Sequence, residues 1–258
     1  MNIERQRQFY ESRASVKDED EPAANWFTNR WTTLRRKLQR VDSEIGLRNT
    51  LNDLHKEWLG DLSGKNVLDL GCFTGNDLTF YLAHNADNYV GIDLSHTAID
   101  QLQEHIGHLL NVRLLASDVM EAGFSRNEFD VIYAHSVIHH FKDLDELGQE
   151  LGRILKPGGM IISVDPLKVD PINRLARMAY RPFQSDRDWE WPLSRRSLNT
   201  IRRYYELDRI QGFRGLSKLG YISTTLGKWG LDWDKKHATN LGVPLYLCWL
   251  ITLRWRPH

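Results

Sequence analysis

The chain has 258 residues, of which 41% are hydrophobic and 26% charged, and its mean hydropathy is −0.49. This composition is typical of a globular protein with a sizeable core, and it excludes disordered and fibrous classes. The two cysteines, Cys72 and Cys248, lie too far apart in sequence for a disulfide framework or a CxxC metal motif, so we expect no metal site. No apolar stretch reaches the ~20 residues of a membrane span, and the first residues lack the apolar core of a signal peptide, which together predict a cytoplasmic protein.

Basic and acidic residues are equal in number, 34 each, but are unevenly distributed. Residues 61–173 carry 7 basic and 17 acidic side chains, whereas residues 174–258 carry 16 and 7. A basic segment of this kind is typical either of an anionic partner or of one solvated face of a domain. The sequence leaves both interpretations open.

Helical patterns dominate residues 1–60, which we interpret as an N-terminal cap. The segment IERQRQFYESRA predicts a short first helix, and an acidic linker that ends at Pro22 follows it. Apolar residues then recur three and four positions apart from Phe27 to Ile45 and from Leu47 to Trp58, which is the spacing of one helix face. We expect these helices to cover the domain formed by residues 61–258.

From residue 64 onward, short apolar runs alternate with helical segments. Ser95 is a plausible N-cap for one of these helices. Strands are expected at 66–72, 89–94, 112–116, 129–134 and 160–164, and helices at 76–85, after 95 and at 143–155. Five such units predict an α/β protein with a doubly wound, mainly parallel sheet.

The last third is less regular. An arginine- and aromatic-rich insertion is expected at about 167–197, where it can serve as a lid over a substrate. A helix is expected over Ser197–Glu206, and Leu245–Leu253 is expected to be the final strand.

The residues that follow the strands are the first candidates for ligand binding, because ligands of open α/β sheets bind beyond the carboxyl ends of the strands. Gly71 and Gly75 follow the first strand, where they permit a tight turn and a close approach of the backbone to a ligand. Asp93 ends the second strand, where a carboxylate can accept hydrogen bonds from ribose hydroxyls. Asp118 follows the third strand and can accept one from an exocyclic amine. Each feature alone is equally typical of a turn or a helix cap, but together they predict a nucleoside-containing cofactor.

Five segments resemble the successive motifs of class I S-adenosylmethionine-dependent methyltransferases: DLGCFTG, VGIDLS, ASD, FDVIYAHSVIHHF and LKPGG. The resemblance covers roughly residues 64–166 and is closest to the small-molecule branch that includes the ubiquinone- and menaquinone-type enzymes. It implies a Rossmann-like fold with a seven-stranded sheet whose last strand is antiparallel. It also implies S-adenosyl-L-methionine as cofactor and S-adenosyl-L-homocysteine as product.

The same resemblance implies roles for individual residues. The expected cofactor-binding residues are Asp69, Gly71, Cys72, Gly75, Asp93, Leu94, Ser117, Asp118, Val119 and His135. Among them, Cys72 is expected to pack rather than to react. The chain departs from the common GxGxG loop at Phe73, whose side chain can either crowd the cofactor or point away from it.

Methyl transfer from a sulfonium is an in-line displacement, in which the protein mainly aligns the acceptor. A general base is needed only if the acceptor carries a proton at the attack step. The histidines after the fourth strand are candidates, because a neutral imidazole accepts a proton near pH 7. We expect His139 to be the catalytic base, with His135 as the second candidate.

Segments outside the sheet should close the acceptor pocket. Expected substrate-binding residues are Tyr10 in the first helix and Tyr180, Arg181, Trp189 and Trp191 in the insertion. Aromatic rings offer apolar walls, and arginine binds carboxylate or phosphate groups. This combination predicts a small aromatic, apolar or lipid-like acceptor that can carry an anionic group, and it is compatible with peripheral contact with a membrane.

Other functions stay open. Basic residues with interleaved aromatic residues also suit RNA binding, so a tRNA methyltransferase is an alternative. No recognised RNA-binding module flanks the core, however, and a nucleic-acid partner is not expected. Phe73 keeps open a protein of this fold that no longer methylates and acts as a cyclase, decarboxylase or binding module. A nicotinamide dehydrogenase is disfavoured, because Asn76 and Asp77 stand where its fingerprint has a third glycine. No motif indicates the oligomeric state.

Overall fold

The structure is a computed structural model that describes residues 3–15, 40–170, 174–175, 178 and 188–258. The strands are β1 (Asn66–Leu70), β2 (Asn88–Asp93), β3 (Val112–Ala116), β4 (Phe129–His135), β5 (Leu155–Pro166), β6 (Tyr205–Phe213) and β7 (Leu250–Pro257). The α-helices of the described part are α1 (Ile3–Ser15), α2 (Leu47–Leu59), α3 (Asp77–Asn85), α4 (His96–Ile106), α5 (Leu144–Ile154), α6 (Arg195–Ile201), α7 (Thr224–His237) and α8 (Val243–Tyr246). Short 3₁₀ turns lie at Ile138–His140 and Ser217–Tyr221.

The strands form one sheet in the order β3-β2-β1-β4-β5-β7-β6. Pairing is parallel from β3 to β5, and β7 is antiparallel to both of its neighbours. The predicted seven-stranded, mainly parallel Rossmann-like sheet with an antiparallel last strand is therefore confirmed. Strand order reverses between β1 and β4, where Leu70 lies opposite Ile92 on one side and Ala134 on the other. The turns after these strands consequently lie side by side at one crevice.

Local capping interactions explain where the helices begin. Asn76, Ser95 and Asp143 each accept hydrogen bonds from backbone amides two or three residues further along, at the starts of α3, α4 and α5. These bonds satisfy N–H groups that a helix otherwise leaves without a partner. The predicted helix starts are correct to within two residues, which fixes the lengths of the turns at the crevice.

Helices cover both faces of the sheet. Trp58 of α2, Leu82 of α3 and Leu102 of α4 are buried against one face. Leu151 of α5 and Leu198 of α6 are buried against the other. Because both faces are covered, the edge formed by the carboxyl ends of β1 to β4 is where a ligand can approach this part of the sheet.

The C-terminal third differs from the prediction. The helix expected over Ser197–Glu206 ends at Ile201 as α6, and β6 follows it as an unpredicted strand. The register of β6 against β7 shifts between Leu207 and Arg209, so the strand does not show the regular alternation by which strands are recognised in a sequence. The final strand begins at Leu250 rather than at Leu245, because the short helix α8 occupies the preceding residues. Strand β5 also begins five residues earlier than predicted.

Several predicted segments lie partly outside the described residues. Residues 40–44 form the described end of the helix expected from Phe27 to Ile45. In the expected insertion, the two ends meet where Leu167 pairs with Leu193 in an isolated bridge. Tyr180 and Arg181 lie outside the described residues. Within the described ranges, none of the helices is long and apolar enough to cross a bilayer.

Candidate functional site

A cavity of about 250 Å³ opens at the crevice beside β1 and β4. The turns after β1, β2, β3 and β4 form its floor, and α1 lies across it as a roof. This volume is near the lower end for small-molecule sites, which typically enclose roughly 300–1,000 Å³. The arrangement is that of a small-ligand site under a helical roof.

The turn after β1 brings backbone to the cavity. Gly71 lines the cavity with a left-handed φ of 70°, and an added Cβ would lie 2.7 Å from Val137 Cγ2, so glycine is required. Phe73 also has a left-handed backbone, with a φ of 46°, which is uncommon for a residue with a side chain. Its N–H donates to Asp93 Oδ2 at 3.1 Å, and its side chain lines the cavity. The Phe73 ring lies next to that of Tyr10, with 6.2 Å between the ring centroids.

Asp93 ends β2 and lines the cavity. Its Oδ1 accepts a hydrogen bond from Ser95 N at 2.9 Å, and its Oδ2 accepts the one from Phe73 N. Burial raises the pKa of Asp93 to about 6, although these amide hydrogen bonds oppose the rise. Because each carboxylate oxygen has two lone pairs, Asp93 can accept two further hydrogen bonds, as a pair of neighbouring hydroxyls would require.

The residues after β3 form a second wall. Asp118 is 6% exposed, and its Oδ1 accepts a hydrogen bond from Met120 N at 3.0 Å. Its other oxygen makes no hydrogen bond within the described part of the chain. Val119 is also buried and lines the cavity next to Ser117, while Leu94 lines it after β2. A carboxylate oxygen beside a branched aliphatic side chain suits a flat ring that carries an amino group at its edge.

Asp69 does not line the cavity, contrary to the prediction. It is 1% exposed, and its Oδ2 accepts hydrogen bonds from Thr79 Oγ1 at 2.8 Å and from Tyr89 OH at 2.9 Å. Burial raises the pKa of Asp69 to about 7. Side chains alternate along a strand, and since the neighbouring Leu70 faces the cavity, Asp69 points to the opposite face of the sheet.

Cys72 and Gly75 are also absent from the cavity lining, although both were expected at the cofactor. Cys72 is buried in the core between the sheet and helices α3 and α4, where burial raises the pKa of the thiol well above its usual value. Gly75 has a φ of 88° and supplies the turn into α3. Their contribution to the site is therefore to shape the loop, and the expectation that Cys72 packs agrees with its position.

His140, rather than His139, faces the cavity. His139 is 6% exposed, with its Nδ1 2.8 Å from Asp165 Oδ1, and its backbone N–H donates to the same oxygen at 3.1 Å. These histidines lie in a 3₁₀ turn, in which successive side chains point about 120° apart, so adjacent residues cannot face the same way. The sequence placed the histidines at the site but could not determine the phase of the turn.

Tyr10 of α1 and His140 form a hydrogen-bonded pair in the cavity, with 2.9 Å between Tyr10 OH and His140 Nε2. His140 Nδ1 lies 2.8 Å from the carbonyl oxygen of Trp189. A carbonyl only accepts hydrogen bonds, so Nδ1 carries the proton and Nε2 accepts from the Tyr10 hydroxyl. The predicted position of Tyr10 at the acceptor side of the site is consistent with this geometry.

His135, the second candidate base, ends β4 and lines the cavity as expected. Burial, together with the positive charge of Arg48, lowers its pKa to about 4. His135 is therefore neutral at pH 7, but a base of so low a pKa accepts a proton poorly near neutrality.

Glu11 holds α1 over the cavity. Its carboxylate accepts hydrogen bonds from His96 N at 2.6 Å, Thr97 N at 3.0 Å and Ser95 Oγ at 3.1 Å, at the N-terminus of α4. A helix N-terminus favours a negative charge. Burial raises the pKa of Glu11, but the hydrogen bonds outweigh it and lower the pKa to about 2. Nothing in the sequence pairs residue 11 with residues 95–97, so sequence reasoning missed this contact.

Gln6 and Arg13 also line the cavity from α1 and were not predicted. Gln6 lies four residues before Tyr10, and Arg13 lies three residues after it, so all three side chains share one face of the helix. Gln6 is 4% exposed, and its Oε1 meets no hydrogen-bond donor among the described residues. A buried amide oxygen without a donor costs about 1–3 kcal/mol, and such atoms are rare in folded proteins, so Gln6 is a candidate ligand-binding residue.

The two predicted substrate residues of the insertion that are described lie outside the cavity lining. Trp189 is 6% exposed and packs against Phe9 of α1, with 5.4 Å between the ring centroids. Trp191 donates its backbone N–H to the carbonyl oxygen of His139 at 2.7 Å. Both therefore support the roof and the histidine turn instead of lining the cavity.

Residues 68–163 match the protein family described as "Methyltransferase domain". This segment is a class I S-adenosylmethionine-dependent methyltransferase domain. The methyltransferase domain contains the turns after β1 to β4 and both histidines of the site. The family resemblance expected from the sequence motifs is thereby confirmed.

The names of the relatives of this methyltransferase domain indicate different small-molecule substrates. Phosphoethanolamine N-methyltransferase 3 of Arabidopsis thaliana is 39% identical over 104 residues, which are 40% of this chain and 21% of that protein. A demethylmenaquinone methyltransferase of Staphylococcus aureus is 31% identical over 142 residues, which are 51% of this chain and 56% of that protein. The chain thus spans about a fifth of the length of the first relative and little more than half of the second.

The fold extends beyond the matched segment. A geranyl diphosphate C-methyltransferase from Streptomyces coelicolor, solved with Mg²⁺, geranyl diphosphate and S-adenosyl-L-homocysteine, is 14% identical, with a TM-score of 0.58 over 82% of this chain and 81% of that one. At this identity the likeness shows a common fold. The common fold therefore covers a larger share of the chain than residues 68–163.

Proposed function

We propose that the protein transfers a methyl group from S-adenosyl-L-methionine to a small-molecule acceptor. The observation that supports this best is a single cavity that has the strand-end carboxylates on its floor and the Tyr10–His140 pair under its roof. The cofactor supplies an electrophilic methyl group on a sulfonium. What this chain must supply is alignment of the acceptor and, where the acceptor carries a proton, a group to receive it.

The cavity floor fits the cofactor. Asp93 has lone pairs left for the two ribose hydroxyls, and one oxygen of Asp118 can accept from the adenine amine. Val119 offers an apolar surface for the adenine ring, and Gly71 brings the backbone to the cavity without a side chain. Arg13 is the permanently charged basic side chain in the lining, and it suits an anionic group of the cofactor or the acceptor.

Tyr10 and His140 are proposed to receive the acceptor's proton. The proton passes to the Tyr10 oxygen as the hydroxyl proton moves to His140 Nε2, and the resulting imidazolium keeps its Nδ1–H on the Trp189 carbonyl oxygen. Burial raises the pKa of Asp165 to about 8, and the hydrogen bond from His139 N–H and a positive charge on His140 oppose that rise, so a proton on His140 favours the ionised form of Asp165. His139 lies between them, with its ring 4.0 Å from that of His140, and acts as a positioning residue.

The roof indicates what kind of acceptor fits. Gln6 Oε1 requires an N–H or O–H donor, whereas Phe73, Val137 and Phe141 line the cavity with apolar surface. We therefore propose a small, largely apolar acceptor with a hydrogen-bearing nitrogen or oxygen. The position of the cavity under the helix α1 favours such a molecule over tRNA.

The test is an acceptor panel with methyl-labelled S-adenosyl-L-methionine. The panel contains phosphoethanolamine, a demethylated naphthoquinone, geranyl diphosphate and total tRNA, and the readouts are labelled product and release of S-adenosyl-L-homocysteine. We expect turnover with a small acceptor, and the Tyr10→Phe variant as control should suppress it. Label in tRNA would contradict the proposed acceptor class. Tight binding of the cofactor without turnover on any extended panel would favour the non-methylating alternative.

A further inference from the structure

Helix α7 buries a narrow face of small residues. Gly227 and Gly230 pack on the 3₁₀ turn Ser217–Tyr221, so closely that a Cβ on Gly227 would lie 2.5 Å from Gly220 Cα. Leu231 belongs to the same buried face and is 5% exposed. Because the packing uses two glycines and Leu231, α7 is held against the domain by one side, and its other large apolar side chains are not needed for that contact.

Those larger side chains lie on the surface. Ile222, immediately before α7, is 79% exposed, Leu226 is 44% exposed and Trp229 is 55% exposed. We call these three residues the α7 stripe. Leu226, Trp229 and the half-buried Trp233 are three and four residues apart and so share one side of the helix. Single exposed apolar residues are ordinary, but a row that includes tryptophan is typical of a binding surface.

The short helix α8, which contacts α7, also carries exposed apolar residues. Val243 is 74% exposed and Leu247 is 37% exposed, at the two ends of α8. Lys218 Nζ donates to the carbonyl oxygen of Leu247 at 3.2 Å, which ties this segment to the 3₁₀ turn that α7 packs on. The exposed apolar residues therefore come from two adjacent elements of the fold.

Basic side chains accompany the stripe. Lys228, Lys235 and Lys236 are all exposed on α7. Asp232 is the exposed acidic residue of the helix, while Asp234 is buried and accepts hydrogen bonds from the 215–217 loop. The exposed surface of α7 is therefore positively charged. Exposed tryptophan and leucine combined with lysine are typical of helices that lie in a membrane interface.

We propose that the α7 stripe docks on the surface of an anionic lipid bilayer. The apolar side chains enter the boundary between headgroups and acyl chains, and the lysines contact the anionic headgroups. A second copy of the chain fits less well, because a two-fold contact would place Lys228, Lys235 and Lys236 against the same lysines of the partner. The inference rests on this surface and does not depend on the proposed reaction.

Vesicle flotation with the full chain tests the proposal. Vesicles of phosphatidylcholine alone are compared with vesicles that contain about 30 mol% phosphatidylglycerol, at about 0.1 M salt. We expect at least about tenfold stronger partitioning to the anionic vesicles. The Leu226→Ser/Trp229→Ser double variant should lose about tenfold or more of it. The matched control is Leu110→Ser, which alters a fully exposed leucine in the loop before β3 and should leave partitioning unchanged.

Several outcomes would overturn the proposal. One is the absence of wild-type binding to anionic vesicles, and another is a double variant that partitions as Leu110→Ser does. A third is a wild-type dimer in light scattering that the double variant converts to monomer without any vesicle binding, which would assign the stripe to a second copy. Thermal melts of all variants establish that they are folded. Because none of these measurements needs a methyl acceptor, a failure of the membrane-docking proposal is distinguishable from a failure of the proposed reaction.

Discussion

Asp93 at the end of β2 and Asp69 near the end of β1 allow a sharp test of the proposed cofactor site. Asp93 lines the cavity, and its two oxygens are held by the amides of Ser95 and Phe73. Asp93→Asn keeps the shape of the side chain but removes its charge and one of its acceptor oxygens. The variant can therefore no longer accept a hydrogen bond from both hydroxyls of a ribose.

The size of the effect follows from the bonds that are lost. Hydrogen bonds to a charged group contribute about 1.5–3 kcal/mol each. Losing or weakening two of them is worth roughly 3–4 kcal/mol, and about 1.4 kcal/mol corresponds to a factor of ten in Kd. We therefore expect Asp93→Asn to weaken binding of S-adenosyl-L-homocysteine by about 10²- to 10³-fold.

Asp69→Asn is the matched control. Asp69 Oδ2 accepts from Thr79 and Tyr89 on the far side of β1, and an amide oxygen can accept both bonds. Isothermal titration calorimetry with S-adenosyl-L-homocysteine should therefore give a Kd within about threefold of wild type, a difference of roughly 0.6 kcal/mol. The reasoning is refuted if Asp93→Asn binds as wild type does, or if Asp69→Asn loses as much affinity as Asp93→Asn.

Three further predictions concern the roof, the proton acceptor and the buried carboxylate. Tyr10→Phe should lower turnover by about 10²-fold or more while leaving affinity for S-adenosyl-L-homocysteine nearly unchanged, and an unaltered rate would remove Tyr10 from the proton relay. Glu11→Gln should speed dissociation of S-adenosyl-L-homocysteine, measured by stopped flow, because α1 is then held less firmly over the cavity. Since the pKa of Glu11 is about 2, the dissociation rate of the wild type should not change through titration of Glu11 between about pH 5 and 8. Asp69 keeps its proton in the folded state up to its pKa of about 7, whereas in the unfolded chain it loses the proton near pH 4. The free energy of unfolding of the wild type should therefore fall, through this group, by on the order of 1.4 kcal/mol per pH unit as the pH rises from about 4 to 7. Asp69→Asn lacks this loss, and urea unfolding that shows a constant difference between the two proteins over that range would contradict the assignment.

Much of the cofactor side could be predicted because its signals are local. Asp93 and Asp118 lie at or just after short apolar runs of the kind that favours strands, and Ser95 caps the next helix through a neighbouring amide. The orientation of Asp69 could not be read from the sequence in the same way. The predicted strand ran to residue 72, and alternation along it would place Asp69 on the same side as Gly71, but β1 ends at Leu70 and Asp69 lies outside the cavity lining.

The acceptor side could not be predicted in the same way. Which of His139 and His140 faces the cavity depends on the phase of a single 3₁₀ turn, and that phase is set by the contacts of His139 with Asp165 and of His140 with Trp189. Strand β6 depends on its pairing with β7, because its own alternation is interrupted at a register shift.

The amino-acid sequence by itself determined the order of strands and helices through the core, the carboxylates Asp93 and Asp118 of the cavity floor and the family to which the domain belongs. These follow from periodicity, capping residues and turn glycines, all of which act within a few positions along the chain. The sequence also led us to expect Tyr10 of the first helix at the acceptor pocket, but only the tertiary structure decided how α1 is held over the cavity, because the contact between Glu11 and the start of α4 joins residues more than eighty positions apart. Contacts between residues so far apart in sequence depend on shape and charge in three dimensions. The same packing of α1 places Gln6 and Arg13 in the cavity lining and pairs Tyr10 with His140.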